Sequence, residues 1–405
     1  MPNQSKIASW LTARRIRVHG LLLALCLWSV YAVDMSTPGL RDRAGLVKGT
    51  DFLHFYTLGT LVLHGHGDLL YDMRAQAAWM HRLVPASAGW SYLPLYGPQV
   101  SLLFAPFSLL PYAWALALWL LLNAAIYAIC CYAIWRTCPN LQARAGIVLI
   151  LAAAFPGFFH LIAWGQTSGL ALACFTLAFL ALRRRRNFLA GLAIGCLIFK
   201  PQLGLAAAVV FVFALEGKIV LGAAISALAQ LGLGWLSYGT TVMQAYFRAT
   251  LRIPEVVSLL EPRPYQMHSL RAFWSLLLPW PPLAFTFYVI TALAVLTLTL
   301  HCWKSALPLG LRYSALLLAS VLVAPHLTVY DLVILAPAFL LLGDWIVGAH
   351  GDLAPARSAV LLYLCYPLFL LGPLAKLTHL QASVIALLGL LWIVAAEDRE
   401  PATAN

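Results

Sequence analysis

The sequence predicts an all-α protein whose helices cross a membrane many times. Of its 405 residues, 62% are hydrophobic and 10% are charged, whereas roughly a quarter of the residues in a soluble domain are charged. About 20 apolar residues make one helical crossing of a bilayer core of about 30 Å, and apolar stretches approaching this length recur along the chain. We therefore expect a polytopic bundle of about twelve spans that forms a single membrane domain over residues 1–405, with no soluble catalytic domain.

The charge distribution orients this predicted bundle. The formal charge of +12 comes from basic residues scattered in short groups at the ends of apolar runs, which is a topological pattern and gives no support for a nucleic-acid partner. Cytoplasmic loops are enriched in Lys and Arg, so the run 183–186 and both termini are expected inside. Two long loops, residues 34–111 and 239–271, are then expected on the outer face. The predicted spans lie near residues 18–33, 112–135, 145–160, 167–182, 188–199, 203–215, 219–238, 283–302, 313–324, 328–343, 358–373 and 379–395.

The first outer loop carries the strongest candidate for a catalytic group. Apolar and aromatic residues recur near helical spacing after Asp51, so Asp51 is expected to open an amphipathic helix on the outer membrane surface. A carboxylate at that boundary could act as a general base on a lipid-borne substrate. The alternative is that Asp51 or Thr50 only caps the helix. His54 and Tyr56 follow as candidate substrate-binding residues, and the stretch 102–110 is expected to form a second juxtamembrane helix rather than a crossing.

A second set of polar residues falls on the same predicted side of the membrane. Lys200-Pro201 interrupts two short apolar segments, and irregular backbone at membrane depth is tolerated where it is buried in protein or lines a wet cavity. Gln166 and Lys200 offer an amide and an ammonium group, and together with Arg263 they would suit a lipid phosphate. The alternatives are that Lys200 snorkels to the headgroups and that Gln166 caps a helix.

The late spans add histidine and tyrosine to this outer set. His326 lies between two predicted spans, with Tyr330 and Asp331 following it, and a histidine inside a membrane protein usually faces a cavity or a partner. The alternatives are that His326 is a hydrogen-bonded structural residue and that Asp331 only holds His326 or a backbone amide. His268 is a further candidate in the second outer loop.

Motifs for several other reaction classes are absent from the sequence. There is no GxxxxGK[ST] phosphate loop, no HExxH, no GxSxG and no CxxC pair, so nucleotide hydrolysis, zinc proteolysis and serine hydrolase chemistry have no support. The segment His64-Gly65-His66 is interpreted as a turn rather than a metal site. Neither a metal nor another cofactor is expected.

The polar residues occur in an order and spacing that resemble a known family of enzymes. The segments concerned are Asp51-Phe52 with Phe55-Tyr56, Gly67 with Leu70-Tyr71-Asp72, Tyr92-Leu93-Pro94, Gly165-Gln166, Lys200-Pro201-Gln202, and Pro325-His326 before an aromatic-Asp pair. With these segments the chain resembles the polytopic glycosyltransferases of the C-type (GT-C) superfamily and, within it, glycosyltransferase family 87, of the polyprenyl-phosphate-mannose-dependent alpha-1,2-mannosyltransferase type. The chain departs from the family pattern in the segment 92–98, which lacks the double proline, and in the loop after Gly239.

The resemblance implies an inverting transfer of a sugar, by resemblance mannose, from a polyprenyl-phosphate donor to a hydroxyl of a lipid-linked or glycan acceptor. It places the catalytic aspartate at Asp51 and a functionally important histidine at His326. Lys200 and Arg263, with His326, would stabilise the phosphate charge. The implied location is the bacterial inner membrane, with the active site on the periplasmic side and the surrounding membrane lipids as further partners. The remaining candidates for substrate binding are His54, Tyr56, Gln166, His268 and Tyr330.

Two other functions remain open at this point. A transporter or lipid flippase would also use broken helices and intramembrane Lys or His along its substrate pathway, although the sequence shows no internal repeat. A ligase acting on polyprenyl-linked sugar polymers would use a similar cavity. Formation of a labelled glycosylated product separates the transferases from the transporter.

Overall fold

Most of the described part of the chain is helical. The structure is a computed structural model that describes residues 11–261, 263–350 and 357–397. Among these residues β-structure is limited to two isolated bridges, Arg41 with Val47 and Met267 with Thr328. The α-helices are α1 Ala13–Met35, α2 Thr50–Leu63, α3 Met73–Leu83, α4 Gln99–Phe104, α5 Tyr112–Trp135, α6 Ala145–Ala153, α7 Pro156–Trp164, α8 Ser168–Arg183, α9 Asn187–Gly195, α10 Pro201–Phe213, α11 Gly217–Leu251, α12 Val257–Leu260, α13 Leu270–Leu277, α14 Pro281–Lys304, α15 Leu309–Val323, α16 Ala336–His350, α17 Arg357–Leu370, α18 Gly372–Thr378 and α19 Ala382–Glu397.

Several helices have the length and composition of membrane spans, which confirms the predicted all-α polytopic fold. Among the described residues, five helices are long and apolar enough to cross a membrane, or up to seven if each of two bent pairs forms one span. The five are α1, α5, α11, α14 and the continuous stretch Val329–Ala349, and the pairs bend by 43° between α6 and α7 and by 80° between α17 and α18. The predicted segments fall on these helices and on the shorter apolar helices α8, α9, α10, α15 and α19. A total of twelve crossings remains a prediction, and the end segments 1–10 and 398–405 lie outside the described residues.

Helix α15 forms the centre of the bundle. Every residue from Tyr313 to Val323 is buried, as expected for a helix that is apolar around its whole circumference. Helices α10, α14, α16 and α19 pack around it. The chain then turns through a tight helical segment, Val329–Leu335, which contacts α7 and α8. The chain therefore passes from the central helix α15 straight into the segment that contains Asp331.

Helix α2 begins where the sequence predicts but lies in a different environment. All ten residues from Phe52 to Leu61 are buried, since α3, α4, α5 and the turn Phe107–Leu109 pack around them. The Phe52 ring stacks on the Trp119 ring of α5 with an interplanar angle of 18°. The expected amphipathic helix on the membrane surface is therefore wrong, because other parts of the first loop together with α5 bury its residues on all sides.

The remaining predicted irregularities occur at the expected residues. In the stretch predicted as one helix over 102–110, α4 ends at Phe104 and a separate turn covers Phe107–Leu109. With 6 residues, α4 is too short to cross a bilayer, and its juxtamembrane position remains a prediction. A tight turn over Cys196–Phe199 ends at Lys200, and α10 starts at Pro201. Helix α11 extends into the second loop to Leu251 and bends at Gly239, where φ is 77°. The segment after Leu63 is a turn with Gly65 at φ 75°.

Candidate active site

Asp51 lies in the first turn of α2 and is bound by a side chain from another helix pair. The Nε2 group of Gln166 donates to Oδ2 of Asp51 at 2.7 Å. The residue that precedes the helix is Gly49, which provides no side-chain cap, and the Thr50 hydroxyl donates to the Val47 carbonyl. Neither Asp51 nor Thr50 therefore acts as the N-cap, although the helix dipole favours a carboxylate at this position.

Gln166 occupies the break between α7 and α8. Gly165 ends α7 in the left-handed conformation, φ 64°, and its carbonyl accepts a hydrogen bond from Trp119 Nε1 at 2.8 Å. The buried Gln166 side chain accepts at Oε1 from the Thr167 amide at 3.0 Å and from Lys200 Nζ at 3.2 Å. Gln166 therefore joins α2 to Lys200 and does not serve as a simple helix cap.

Lys200 forms a buried ion pair with Asp331. Its Nζ lies 2.9 Å from Asp331 Oδ1 and 2.9 Å from Ser168 Oγ, and the Ser168 hydroxyl donates to the same carboxylate oxygen at 2.5 Å. Lys200 is 3% exposed and Asp331 is 1% exposed, so Lys200 does not snorkel. We call Asp51, Gln166, Ser168, Lys200 and Asp331 the polar cluster.

The Tyr330 ring closes one side of the polar cluster. Its centroid is 4.9 Å from Lys200 Nζ, within the range of a cation–π contact. Asp331 Oδ2 accepts from the Thr328 amide at 3.2 Å as part of a capping box. The alternative in which Asp331 holds a backbone amide is therefore confirmed, and Asp331 binds Lys200 as well.

Asp51 is the group in the polar cluster that is suited to accept a proton. Burial raises the pKa of Asp51 to about 6, while the Gln166 hydrogen bond and the Lys200 charge lower it and the Asp331 charge raises it. A carboxyl group with this pKa is largely ionised at pH 7 and is a stronger base than an ordinary aspartate, whose pKa is about 3.9. The site can therefore perform general base chemistry at neutral pH.

His326 belongs to a second group of ionisable side chains, formed with the loop after α12. Its Nδ1 lies 3.1 Å from Oε1 of Glu261. Arg271 Nη1 donates to the same oxygen at 2.5 Å and to the Pro325 carbonyl at 2.6 Å. We call Glu261, Arg271 and His326 the loop cluster. Arg263, two residues after Glu261, is exposed.

His54 lines a small cleft that runs along α2 from the turn that follows Asp51. The cleft has a volume of about 10 Å³, room for a single water-sized group, and Tyr71 and Tyr96 form part of its wall. His54 is 5% exposed, and its Nε2 has no hydrogen-bond partner among the described residues. Burial lowers the pKa of His54 to about 4, so its imidazole is neutral at pH 7.

Tyr56 and His268 contact the protein scaffold. The Tyr56 hydroxyl donates to the Leu110 carbonyl at 2.9 Å, which ties α2 to the end of the first loop. His268 is 1% exposed, and its Nδ1 lies 2.7 Å from Ser383 Oγ on α19. The structure thus brings together Asp51, Gln166, Lys200 and Tyr330, while His326, His54, Tyr56, His268 and Arg263 have other neighbours.

Sequence reasoning assigned no functional role to four residues of these clusters, namely Ser168, Asp331, Glu261 and Arg271. Ser168 is one of many serines in an apolar chain, and Glu261 stands in a loop whose charges carry no recognisable spacing. The only signal for Ser168 was its position directly after the segment Gly165-Gln166-Thr167. Within the described ranges, no group of three or more His, Cys, Asp or Glu side chains is placed to hold a metal ion.

The helical bundle and the buried polar cluster define an integral membrane protein with a candidate acid–base centre. A sequence profile of glycosyltransferase family 87 matches residues 95–325, more than half of the chain. The chain therefore belongs to glycosyltransferase family 87 and is a membrane glycosyltransferase of the GT-C type. Comparisons with curated proteins and with solved structures give no match.

Family membership favours glycosyl transfer over the transporter and flippase alternatives. The matched range includes Gln166, Ser168 and Lys200, while Asp51 and Asp331 lie outside it. The geometry of the polar cluster therefore carries the argument for those two residues.

Proposed function

We propose that the chain is an inverting glycosyltransferase that moves a sugar, mannose by the family resemblance, from a polyprenyl-phosphate donor to a hydroxyl of a lipid-linked or glycan acceptor. The proposal rests on the environment of Asp51. Gln166 binds its carboxylate, and burial raises its pKa to about 6. Such a group can deprotonate a hydroxyl at neutral pH. We place the reaction at the periplasmic face of a bacterial inner membrane, on the strength of the basic residues in the opposite loops.

In the proposed reaction, Asp51 accepts the proton of the acceptor hydroxyl as that oxygen attacks the anomeric carbon. The new bond joins the acceptor oxygen to the anomeric carbon. The bond that breaks joins that carbon to the phosphate oxygen, and its electron pair leaves with the polyprenyl phosphate. Attack from the face opposite to the phosphate inverts the configuration, so Asp51 and the phosphate must lie on opposite sides of the sugar.

Arg271 and His326 of the loop cluster are the proposed ligands of the leaving phosphate, which would take the place of Glu261 as their partner. Arg271 and His326 are partly buried, with side-chain exposures of 21% and 20%. Preorganised donors in a site of this kind stabilise charge that develops in the transition state. The exposed Arg263 adds a cation in the same loop.

We infer that the cleft beside His54 admits one hydroxyl group of the acceptor, because it has room for a single group of that size. Its lining includes no Lys or Arg, and His54 is held neutral, so the cleft favours an uncharged hydroxyl-bearing group over a phosphate. Residues three apart on a helix have Cβ atoms about 5–6 Å apart, which places His54 one turn from Asp51. A hydroxyl group bound in this cleft would lie on the same helix face as the base, with the rest of the acceptor outside the cleft.

Transfer of radiolabelled mannose from polyprenyl-phosphate-mannose to a detergent extract of the source cells' membranes tests the proposal. The purified wild type should form labelled product, and Asp51→Asn should reduce kcat by about 100-fold or more, because the contribution of a general base is about 10²–10⁴. The isosteric amide keeps the fold, which the melting temperature checks. Transfer by Asp51→Asn at the wild-type rate would remove Asp51 as the base, and the absence of product with wild type would contradict the donor.

A further inference from the structure

All three hydrogen-bond donors of Lys200 are used within the protein. An ammonium group has three N–H donors and no acceptor. The Nζ atom lies within 3.2 Å of three oxygens, on Gln166, Ser168 and Asp331. The side chain is 4% exposed. A phosphate would have to displace one of these partners and enter a closed site, so the geometry does not favour the phosphate-binding role that the sequence suggests for Lys200.

The contacts of Gln166 fix the direction of its amide group. Lys200 Nζ and the Thr167 amide both donate to Oε1, which leaves Nε2 to donate to Asp51. A reversed amide would place its NH₂ group against the ammonium and its oxygen against the carboxylate, and both contacts would be repulsive. The lysine therefore determines which end of the amide meets Asp51.

Asp331 is positioned as firmly as the lysine that it pairs with. Its Oδ1 accepts from Lys200 and Ser168, and its Oδ2 accepts from the Thr328 amide. A buried ion pair is weak support for stability, because desolvation of both charges offsets their attraction. Ionisable residues inside membrane proteins usually have functional roles, and the contact of this pair with Gln166 provides one.

We propose that Lys200 and Asp331 are positioning residues: they hold the Gln166 amide so that it donates to Oδ2 of Asp51 and leaves Oδ1 to take the acceptor proton. This inference rests on the proposed function of Asp51 as the general base. The reactive oxygen of Asp51 is thus selected by residues that do not touch the substrate.

The pH dependence of kcat/KM distinguishes a positioning role of Lys200 from a phosphate-binding role. The hydrogen bond of Gln166 and the charge of Lys200 both lower the pKa of Asp51, while Asp331 raises it by a smaller amount. Four tyrosine hydroxyls also face Asp51, and a tyrosine with its ordinary pKa of about 10 is neutral at working pH. These are Tyr92, Tyr96, Tyr112 and Tyr330. Loss of the Gln166 contact should therefore raise the pKa of Asp51 and move the acid limb of the kcat/KM profile to higher pH.

The test uses the double variant Lys200→Met/Asp331→Asn, since removing one charge alone leaves the other buried and unpaired. Gln166→Leu removes the amide that connects Lys200 to Asp51. The matched control is Lys218→Met, which replaces an exposed lysine on α11. In the mannose transfer assay, the double variant and Gln166→Leu should lose about 100-fold in kcat, as a misplaced catalytic group does. Both should shift the acid limb upward and keep the donor KM within about twofold of wild type.

Other outcomes overturn the inference. A donor KM raised tenfold or more with an unchanged acid limb would make Lys200 a phosphate ligand. Wild-type kinetics in a folded double variant would make the ion pair purely structural. If the double variant does not fold, Gln166→Leu tests the inference instead. An unchanged acid limb of its kcat/KM profile would then contradict the positioning role. Wild-type activity in Asp51→Asn contradicts the proposed function itself, and an inactive Asp51→Asn beside a fully active Gln166→Leu contradicts only the positioning role.

Discussion

At the scale of single residues, burial decides which histidines can take part in proton transfer. The Nδ1 atom of His268 pairs with Ser383, and burial lowers the pKa of His268 to about 3. The ordinary histidine pKa is about 6.5, so His268 stays neutral across the working pH range. The residue joins the second loop to α19, whereas the sequence suggested substrate binding.

Replacement of His268 by glutamine should therefore change stability and leave donor binding intact. The folded-state pKa lies below the unfolded value, so the unfolded chain binds more protons and stability falls as pH drops from 6.5 toward 3. His268→Gln should cost about 1–2 kcal/mol at pH 7 through the altered contact with Ser383, and its melting temperature should fall less than that of wild type between pH 7 and pH 5.

The control for this prediction is His81→Gln, an exposed histidine on α3, which should match wild type at both pH values. Donor KM is measured alongside in the mannose transfer assay. A donor KM raised tenfold, with unchanged acid sensitivity of the melting temperature, would mean that His268 contacts the substrate after all.

At the scale of elements, the break between α7 and α8 sets the distance between Gln166 and Asp51. A Cβ atom at Gly165 would lie 2.9 Å from the Phe52 Cβ, and the backbone there is left-handed with φ 64°. Only glycine combines this conformation with so close an approach at low cost. The small residue thus lets the start of α2 pack directly against the residue that precedes Gln166.

Gly165→Ala should push α2 away from Gln166 and reduce kcat. We expect a loss on the order of 100-fold in kcat, together with about 1–2 kcal/mol of stability for the left-handed backbone. The matched control is Gly232→Ala, at a helical glycine of α11 where a Cβ would meet nothing within 4 Å. Both variants are compared in the transfer assay and by melting temperature. Wild-type kcat in Gly165→Ala would show that the Asp51 to Gln166 distance does not limit the reaction.

The sequence was informative about elements and much less so about their neighbours. The runs of apolar residues predicted where the helices lie, and Lys200-Pro201 predicted a break. Burial of α2 was not predictable from its own pattern, because it depends on the covering helices α3, α4 and α5. The hydrogen bond of Asp51 joins residues 115 positions apart, and the Lys200 ion pair spans 131 positions. Periodicity within one segment contains no information about such contacts.

At the scale of the whole molecule, orientation decides which compartment supplies the acceptor. The loop with Arg183–Arg186 lies at the end of α8 opposite to Ser168 and the polar cluster. Cytoplasmic loops are enriched in basic residues, so the proposed topology places this loop inside and the two long loops outside. The polar cluster then faces the periplasm, where an acceptor would have to be delivered across the membrane or assembled on its outer leaflet.

Single cysteines test this orientation directly. In a background with all eight native cysteines replaced, Met73→Cys and Leu259→Cys lie at exposed positions of the two long loops, and Arg184→Cys lies in the arginine run. A membrane-impermeant maleimide should label the first two in intact cells and Arg184→Cys only after permeabilisation. Each variant must retain mannose transfer, so that labelling reports the active fold. Labelling of Arg184→Cys in intact cells, with Met73→Cys protected, would invert the topology and move the proposed reaction to the cytoplasmic face.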